Sequence, residues 1–252
     1  MDSANRLSKT ELTQLKIDLA AAFRLAAQFN WHESVGNHFS AAISDDGKQF
    51  LMNPKWMHFA EIRSIDLLSL DADKPVTTSN EHETALVDKS AWCLHGEIHR
   101  SNPKAKVVLH LHPPYVSALA CLKDPTLYPI DQNSARFFGI KIDSSFGGMA
   151  DQPEEAKRIS KALLRNNALI MQNHGVTVIG ETVAQAFEDM YFLERAAKTL
   201  MLAYASGQPL NVMSDKLARE TKQSWGSYRG AANMHFDYLK RKLDITDSSY
   251  RN

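Results

Sequence analysis

The chain has 252 residues, of which 44% are hydrophobic and 23% charged, a balance typical of globular proteins that bury a core without disulfides. Lysine and arginine together number 29, as do aspartate and glutamate, so no overall field favours nucleic acid or an anionic membrane as a partner. Cys93 and Cys121 lack metal-site spacing, and neither a signal peptide nor a bilayer-length apolar run is present, so we expect a soluble, cytoplasmic protein with reduced thiols.

Helical and extended patterns alternate along the chain. A capping-box sequence at 8–11 precedes the first helical pattern, and Gly207 follows the longest one. In chain order we predict helix 11–28, hairpin strands 39–43 and 50–52, strand 66–70, helix 84–100, strands 107–112 and 138–142, helix 153–166, strands 168–172 and 176–179, helix 182–206 and a polar helical tail over 214–243. Without repeats or a linker, this order predicts one domain over 1–252, of α/β or α+β class, around one central sheet.

The strand predicted over 107–112 ends in His110-Leu111-His112. Side chains alternate across a strand, so both imidazoles point to the same face and can reach one metal ion. Pro113-Pro114 follows at once and ends the strand, which places the pair at a sheet edge where loops build sites.

A second strand end has the same form. The apolar segment 168–172 is followed by Asn173-His174-Gly175, with Asn173 and Gly175 expected to orient His174 and shape its turn. Three histidines at strand ends suit a catalytic zinc-type site that leaves a position open for substrate. The alternative is that each is a core histidine whose nitrogens satisfy buried polar groups.

Taken in order, these motifs resemble the class II aldolase/adducin family over about 11–210. The resemblance rests on the segments Gly36-Asn37-His38-Phe39-Ser40, Leu94–Arg100, His110-Leu111-His112, Asn173-His174-Gly175 and Phe192–Ala197. It implies a three-layer αβα sandwich with a mixed, largely antiparallel sheet. It also implies a homotetramer with sites between subunits, and a divalent metal, zinc first and otherwise manganese, iron or cobalt, held by His110, His112 and His174.

One position departs from the family's aldolases. Ala91 stands where those enzymes carry a glutamate that binds metal and transfers protons. Of their phosphate site only Gly36-Asn37 is intact, because Lys89-Ser90 replaces a serine pair and 53–57 replaces a Thr-Gly or Ser-Gly turn. The pattern is closer to the adducin-like branch, which also lacks the glutamate. Some relatives in the broad family are metal-dependent decarboxylases.

These features lead us to expect a carbon–carbon lyase of aldolase or decarboxylase type, working on a small carbonyl or carboxylate substrate through a metal-stabilised enolate. Retro-aldol cleavage needs a base for the hydroxyl proton, whereas decarboxylation does not. The open alternatives are a non-enzymatic adducin-like scaffold and a metal-dependent epimerase. Candidates for the acid/base group are His95, Glu97 and Tyr115, then His32 and His38; substrate-binding candidates are Gly36, Asn37, Ser90 and Lys55.

Several of these residues also have ordinary structural interpretations. Glu97 could be a solvated helix residue, His38 could face solvent, and Tyr115 could be a packing residue. Lys55 and Arg136 could pair with an anionic substrate or remain solvated charges. Glu194 is expected to form a helix-surface ion pair with Arg195, and Tyr228, Tyr238 and Tyr250 occupy the region where family aldolases contribute a tyrosine from a neighbouring subunit.

Overall fold

Seven strands form one mixed sheet in the part of the chain that the structure describes, a computed structural model covering residues 7–74, 87–145, 153–228 and 230–252. The strands are β1 (His38–Ala42), β2 (Gln49–Met52), β3 (Leu68–Asp71), β4 (Val107–Leu111), β5 (Lys141–Asp143), β6 (Ala168–Met171) and β7 (Val176–Gly180). Their order across the sheet is β3-β2-β1-β4-β7-β6-β5. All neighbouring pairs are antiparallel except β5 and β6, which run parallel.

Helices cover both faces of this sheet. They are α1 (Lys9–Gln28), α2 (Lys89–Ser101), α3 (Pro114–Ala120), α4 (Gln132–Arg136), α5 (Pro153–Leu163), α6 (Val183–Ala205), α7 (Asp215–Trp225) and α8 (Ala231–Thr246). Short 3-10 turns occur at Ser64–Asp66, Gly226–Tyr228 and Ser249–Arg251.

Alternation along β4 assigns its side chains to two separate cores. Leu109 belongs to the large core that α1 and α6 share, whereas Val108 packs with Leu94 of α2 and Ile159 of α5. Strand β4 therefore buries apolar groups on both faces, as the centre of a sheet between two helix layers requires. The predicted three-layer αβα sandwich with a mixed, largely antiparallel sheet is confirmed.

The first helix forms as its sequence predicts. Ser8 accepts a hydrogen bond from the Glu11 N–H, and Glu11 accepts one from the Ser8 N–H at 2.9 Å, which completes the capping box. Phe23 on the buried face of α1 stacks on Phe39 of β1, with ring centroids 4.5 Å apart. This contact docks α1 on the sheet beside the hairpin.

Several predicted element bounds were wrong for local reasons. Helix α2 begins at Lys89 because Asp88 caps it by accepting from the N–H groups of Ser90 and Ala91; residues 84–86 lie outside the described residues. Strand β5 begins at Lys141 rather than 138, since Gly139 has a positive φ that breaks the extended run. The short helices α3 and α4 were not predicted, and the tail divides into α7 and α8.

Glu194 corrects a further expectation. It is not a surface partner of Arg195, because it is buried and accepts hydrogen bonds from the N–H groups of Tyr115 at 3.0 Å and Val116 at 2.9 Å. These are first-turn donors of α3, which has no side-chain cap of its own. A carboxylate from α6 therefore caps α3 and holds the segment that directly follows His112.

We expect Glu194→Ala to lower the free energy of unfolding by about 1–3 kcal/mol, because two helix N–H groups would lose their acceptor. Urea denaturation measures the change. Glu220→Ala, on the exposed face of α7, is the control and is expected to stay within about 0.5 kcal/mol of wild type. Equal stability of the two variants would contradict the capping role.

Candidate metal centre

The register of β4 with its two neighbours brings the histidine motifs together. His110 lies opposite His38 of β1, and Leu111 lies opposite Val176 of β7. Strands β6 and β7 are joined by the tight turn that carries His174. The C-terminal ends of β4 and β6 therefore lie at the same end of the sheet, on either side of β7. Both strand-end motifs therefore lie on the same side of the molecule.

His110, His112 and His174 form one cluster. One ring nitrogen from each lies within 4.8 Å of the others, and the His174 ring centroid is 4.8 Å from each of the other two. His110 is buried, while His112 and His174 remain partly exposed. The cluster is thus open on one side, as a site that admits a ligand requires.

The ring orientations suit a cation. Nδ1–H of His112 donates to Glu33 Oε2 at 2.6 Å. The Thr177 hydroxyl donates to the Met171 sulfur, so it accepts from Nδ1–H of His110 at 3.2 Å. Neutral rings held this way point two Nε2 lone pairs at each other across 3.3 Å. Tetrahedral zinc with bonds of 2.0–2.1 Å separates its nitrogen ligands by roughly 3.3 Å, so these residues fit a bound metal ion.

Burial keeps the rings of His110 and His174 neutral. It lowers the pKa of His174 to about 4, with the neighbouring His112 adding to the effect and Glu33 and Asp143 opposing it. Burial, followed by the field of His38 and the other cluster histidines, holds the pKa of His110 well below its usual range. Neutral imidazole is the form that binds metal, so the lone pairs are available at neutral pH.

Asn173 and Gly175, on either side of His174, shape the turn after β6. Asn173 has a φ of 58°, a left-handed conformation that asparagine tolerates, and its N–H donates to the Ala120 carbonyl at 3.1 Å. Gly175 lies against the end of β4, where a Cβ would overlap Cδ2 of His112 and the carbonyl oxygen of Leu111.

We expect Gly175→Ala to weaken zinc binding at least about ten-fold, because the added methyl group displaces the His112 ring from its geometry. Competition with a fluorescent chelator measures the affinity. Gly226→Ala, where a Cβ meets nothing within 4 Å, is the matched control. Unchanged zinc affinity in the Gly175 variant would count against this arrangement of the cluster.

A row of hydrogen-bonded polar side chains leads from the cluster into the interior under α2. Its members, called the row below, are His38, His95, Ser40 and His99. Nδ1 of His38 lies 2.7 Å from Nε2 of His95, whose Nδ1 lies 2.5 Å from the Ser40 hydroxyl. The same hydroxyl lies 2.6 Å from Nε2 of His99, whose Nδ1 is 2.5 Å from the Ala105 carbonyl. The His38 ring also stacks on His110 with centroids 4.8 Å apart. His38 therefore does not simply face solvent; it separates His95 from the cluster.

The other acid/base candidates have different surroundings. Ala91 is fully buried and packs with Phe50 and Met52, so an apolar cluster occupies its surroundings. Glu97 pairs with Arg100 at 2.5 Å on the outer side of α2. The backbone of Tyr115 is held by Glu194, and its ring lies 5.2 Å from the Lys198 ammonium nitrogen.

The substrate-binding candidates surround the loop before β1. Gly36 closes a turn by donating to the Glu33 carbonyl at 2.9 Å. Asn37 is buried; its Oδ1 accepts from the Glu33 N–H at 2.7 Å, while its Nδ2 has no partner. Ser90 donates to Asp88 at 2.6 Å as part of the α2 cap, and Lys55 lies over the exposed Trp56 ring.

The remaining candidates lie in other contacts. Arg136 is not solvated, because it binds Asp189 at 2.6 Å and stacks on Trp225. Tyr250 is buried and donates to Asp244 at 2.7 Å. Tyr228 and Tyr238 are exposed.

His32, another acid/base candidate, lies with its Nε2 atom 2.9 Å from Nε2 of His58, and its ring stacks on Phe59.

Sequence reasoning missed Glu33, Thr177, Ser40 and His99. The first two orient the cluster histidines, and the other two continue the row behind His38. A signal existed for His99, which is four residues after His95 and so shares its helix face. Glu33 and Thr177 approach the cluster only through the fold.

Comparison with known proteins agrees with this fold. The pattern of the class II aldolase and adducin N-terminal domain matches residues 17–201. The chain is 28% identical to an adducin-related protein of Schizosaccharomyces pombe, over 94% of this chain and 76% of that one. It is 28% identical to the decarboxylase NovR of Streptomyces niveus (85% and 78% covered) and 27% identical to alpha-adducin of Rattus norvegicus (79% and 27% covered).

Solved structures show the same architecture. An aldolase II superfamily protein from Pseudomonas syringae superposes with a TM-score of 0.86 at 26% identity, covering 98% of each chain. An L-fuculose 1-phosphate aldolase from Glaciozyma antarctica PI12 superposes with a TM-score of 0.82 at 23% identity, covering 100% of this chain and 97% of that one. This chain belongs to the class II aldolase and adducin family. In the described ranges, no helix has the length and apolar character needed to cross a bilayer.

Proposed function

We propose that this protein is a metal-dependent carbon–carbon lyase, of aldolase or decarboxylase type, that acts on a small carbonyl or carboxylate substrate. One observation carries the proposal: the Nε2 atoms of His110 and His112 face each other at 3.3 Å with His174 beside them. A core histidine places its nitrogens on hydrogen-bond partners. Here both Nδ1 atoms are on partners, and the two Nε2 atoms face each other at the ligand spacing of tetrahedral zinc, which supports a cation between them.

The three histidines would hold the metal ion, with zinc our first expectation and manganese, iron or cobalt as alternatives. When bound, such a cation polarises a carbonyl oxygen and stabilises the negative charge of an enolate. Glu33 and Thr177 keep the rings of His112 and His110 turned toward it. The likeness to the decarboxylase NovR supports this class of chemistry.

Asn37 is our main candidate for substrate binding. Its Nδ2 group is a buried donor without a partner, and such a group is costly to leave unpaired. An oxygen of a carboxylate, carbonyl or phosphate would satisfy it. Gly36 supplies the preceding turn, whereas Ser90 and Lys55 would have to leave their contacts with Asp88 and Trp56 to take part.

Among the acid/base candidates we favour His95 acting through His38, which lies between it and the cluster. Tyr115 and Glu97 are second choices. Glu97 is already paired with Arg100. Decarboxylation needs no base for a hydroxyl proton. Replacing the family glutamate by Ala91 therefore removes less from a decarboxylase than from an aldolase.

We expect wild-type protein to carry about one divalent metal ion per chain, and His110→Ala or His174→Ala to carry almost none. Mass spectrometry of metal content in purified, untagged protein tests this. His235→Ala is the matched control, because His235 pairs with Glu188 in another part of the fold. Lyase activity on hydroxy-acid, keto-acid and sugar-phosphate substrates should disappear with the metal while circular dichroism stays unchanged.

The second candidate function is an adducin-like scaffold or binding protein. The likeness to alpha-adducin and the apolar surroundings of Ala91 favour it. Metal-free wild-type protein that takes up no metal on dialysis would refute the lyase and leave the scaffold.

We expect Asn37→Ala in cobalt-loaded protein to bind glycolate about ten-fold more weakly, because the ligand loses a buried donor. Titration of the cobalt absorption bands measures this. Asn211→Ala, at an exposed position, is the control. Equal glycolate affinity in both variants would remove Asn37 from the proposed substrate site.

We also propose a homo-oligomer, with the tetramer as the first expectation, in the cytoplasm. Met234, Tyr238 and Ile245 support association, because they leave three large apolar side chains exposed on α8. Analytical ultracentrifugation measures the assembly.

A further inference from the structure

The row behind His38 has a definite hydrogen-bond direction. Its inner end is the Ala105 carbonyl, which only accepts, so Nδ1 of His99 carries a proton and donates. In a neutral ring Nε2 of His99 is then an acceptor, and the Ser40 hydroxyl must donate to it. The oxygen of Ser40 is left to accept from Nδ1–H of His95.

The same reasoning continues to the cluster. Because Nδ1 of His95 donates, its Nε2 accepts, and Nδ1–H of His38 is the donor. Nε2 of His38, on the other side of its ring, then carries a lone pair. Each step has only one solution once all three rings are neutral.

Neutral rings follow from the surroundings of the row. His95 and His99 are buried, and their partners are a hydroxyl, a carbonyl and other imidazoles, none of which carries negative charge. Burial lowers the pKa of His99 to about 4 and, with His38 and His99 nearby, that of His95 well below its usual range. The direct partners of His38 are likewise imidazoles, the acceptor His95 and the stacked His110, and neither favours a charged ring.

We propose that Ser40, His95 and His99 are positioning residues that hold His38 in one tautomer, with the Nε2 lone pair available as a hydrogen-bond acceptor beside the histidine cluster. The acceptor stands next to His110, on which its ring stacks. For ligands of the cluster, and so resting on the proposed function, this favours compounds that present a hydroxyl donor next to the oxygen that binds the metal. An Nε2–H at the same place would reject that donor.

The tautomers are tested first, in metal-free wild-type protein labelled with ring-¹⁵N histidine. Long-range ¹H–¹⁵N correlation spectra distinguish protonated from unprotonated ring nitrogens, and single His→Gln variants assign the signals. We expect His38, His95 and His99 all to carry the proton on Nδ1, the less common form of a free neutral imidazole. An Nε2–H form of His38 overturns the proposal, and this measurement needs neither metal nor substrate.

Ser40→Ala tests whether Ser40, through His95, sets the tautomer of His38. Without the hydroxyl, His95 loses the acceptor for its Nδ1–H and can move the proton to Nε2, which would donate to His38. We then expect His38 to shift toward the Nε2–H form. Ser160→Ala is the matched control, since Ser160 is also a buried serine with a hydroxyl partner, Ser101, but lies outside the row. An unchanged His38 tautomer in a folded Ser40→Ala protein overturns the connection.

The ligand preference is tested with cobalt-loaded protein and two probes, glycolate and methoxyacetate. Both offer a carboxylate and a neighbouring oxygen, but only glycolate has the hydroxyl proton. We expect wild type and Ser160→Ala to prefer glycolate about ten-fold and Ser40→Ala to lose the preference. Equal binding of both probes by wild type overturns the acceptor role. Failure to bind cobalt would refute the proposed function. The spectra would still show whether the row holds His38 in the Nδ1–H tautomer.

Discussion

The antiparallel pairing of β4 with β1 on one side and β7 on the other is the constraint on which the site depends. It places His110 opposite His38 and Leu111 opposite Val176, so β4 has His38 on one side and the turn that carries His174 on the other. A slip of one residue would send every side chain of β4 to the other face of the sheet. Such a slip would move His110 to the side of the large apolar core, where its ring nitrogens would lose their polar partners.

The same pairing explains how the polar side chains of the row are accommodated inside the protein. Ser40 lies in β1 between Phe39 and Ala41, which face the core under α1. It faces α2 instead, where His95 and His99 cover it one helical turn apart. Buried polar groups are tolerated only when each finds a partner, and the Ala105 carbonyl completes this set. The row therefore links the geometry of the cluster to the packing of α2 on the sheet.

Support for the cluster comes from segments far apart in the chain. Glu33 orients His112, Thr177 orients His110, and Glu194 caps the helix that follows β4. These contacts tie the loop before β1, strand β7 and helix α6 to one site. The chain shares its fold with solved aldolases of the family, and Ala91, where the resemblance implies a glutamate, lies among apolar side chains. The lyase reaction that we propose therefore depends on other groups beside the cluster, among them His38 and Asn37.

By itself, the sequence determined the elements with strong periodicity and the residues of the cluster. Helix α1 was predicted from its capping box, and His110, His112 and His174 from strand ends, because both signals are local and repeat at short range. Short helices such as α3 were not predictable, since its cap is Glu194, some eighty residues away. Only the tertiary structure decided that His38 lies against His110, that Glu33 reaches His112 and that Glu194 is buried. Those relationships depend on strand order and register, which no local pattern encodes.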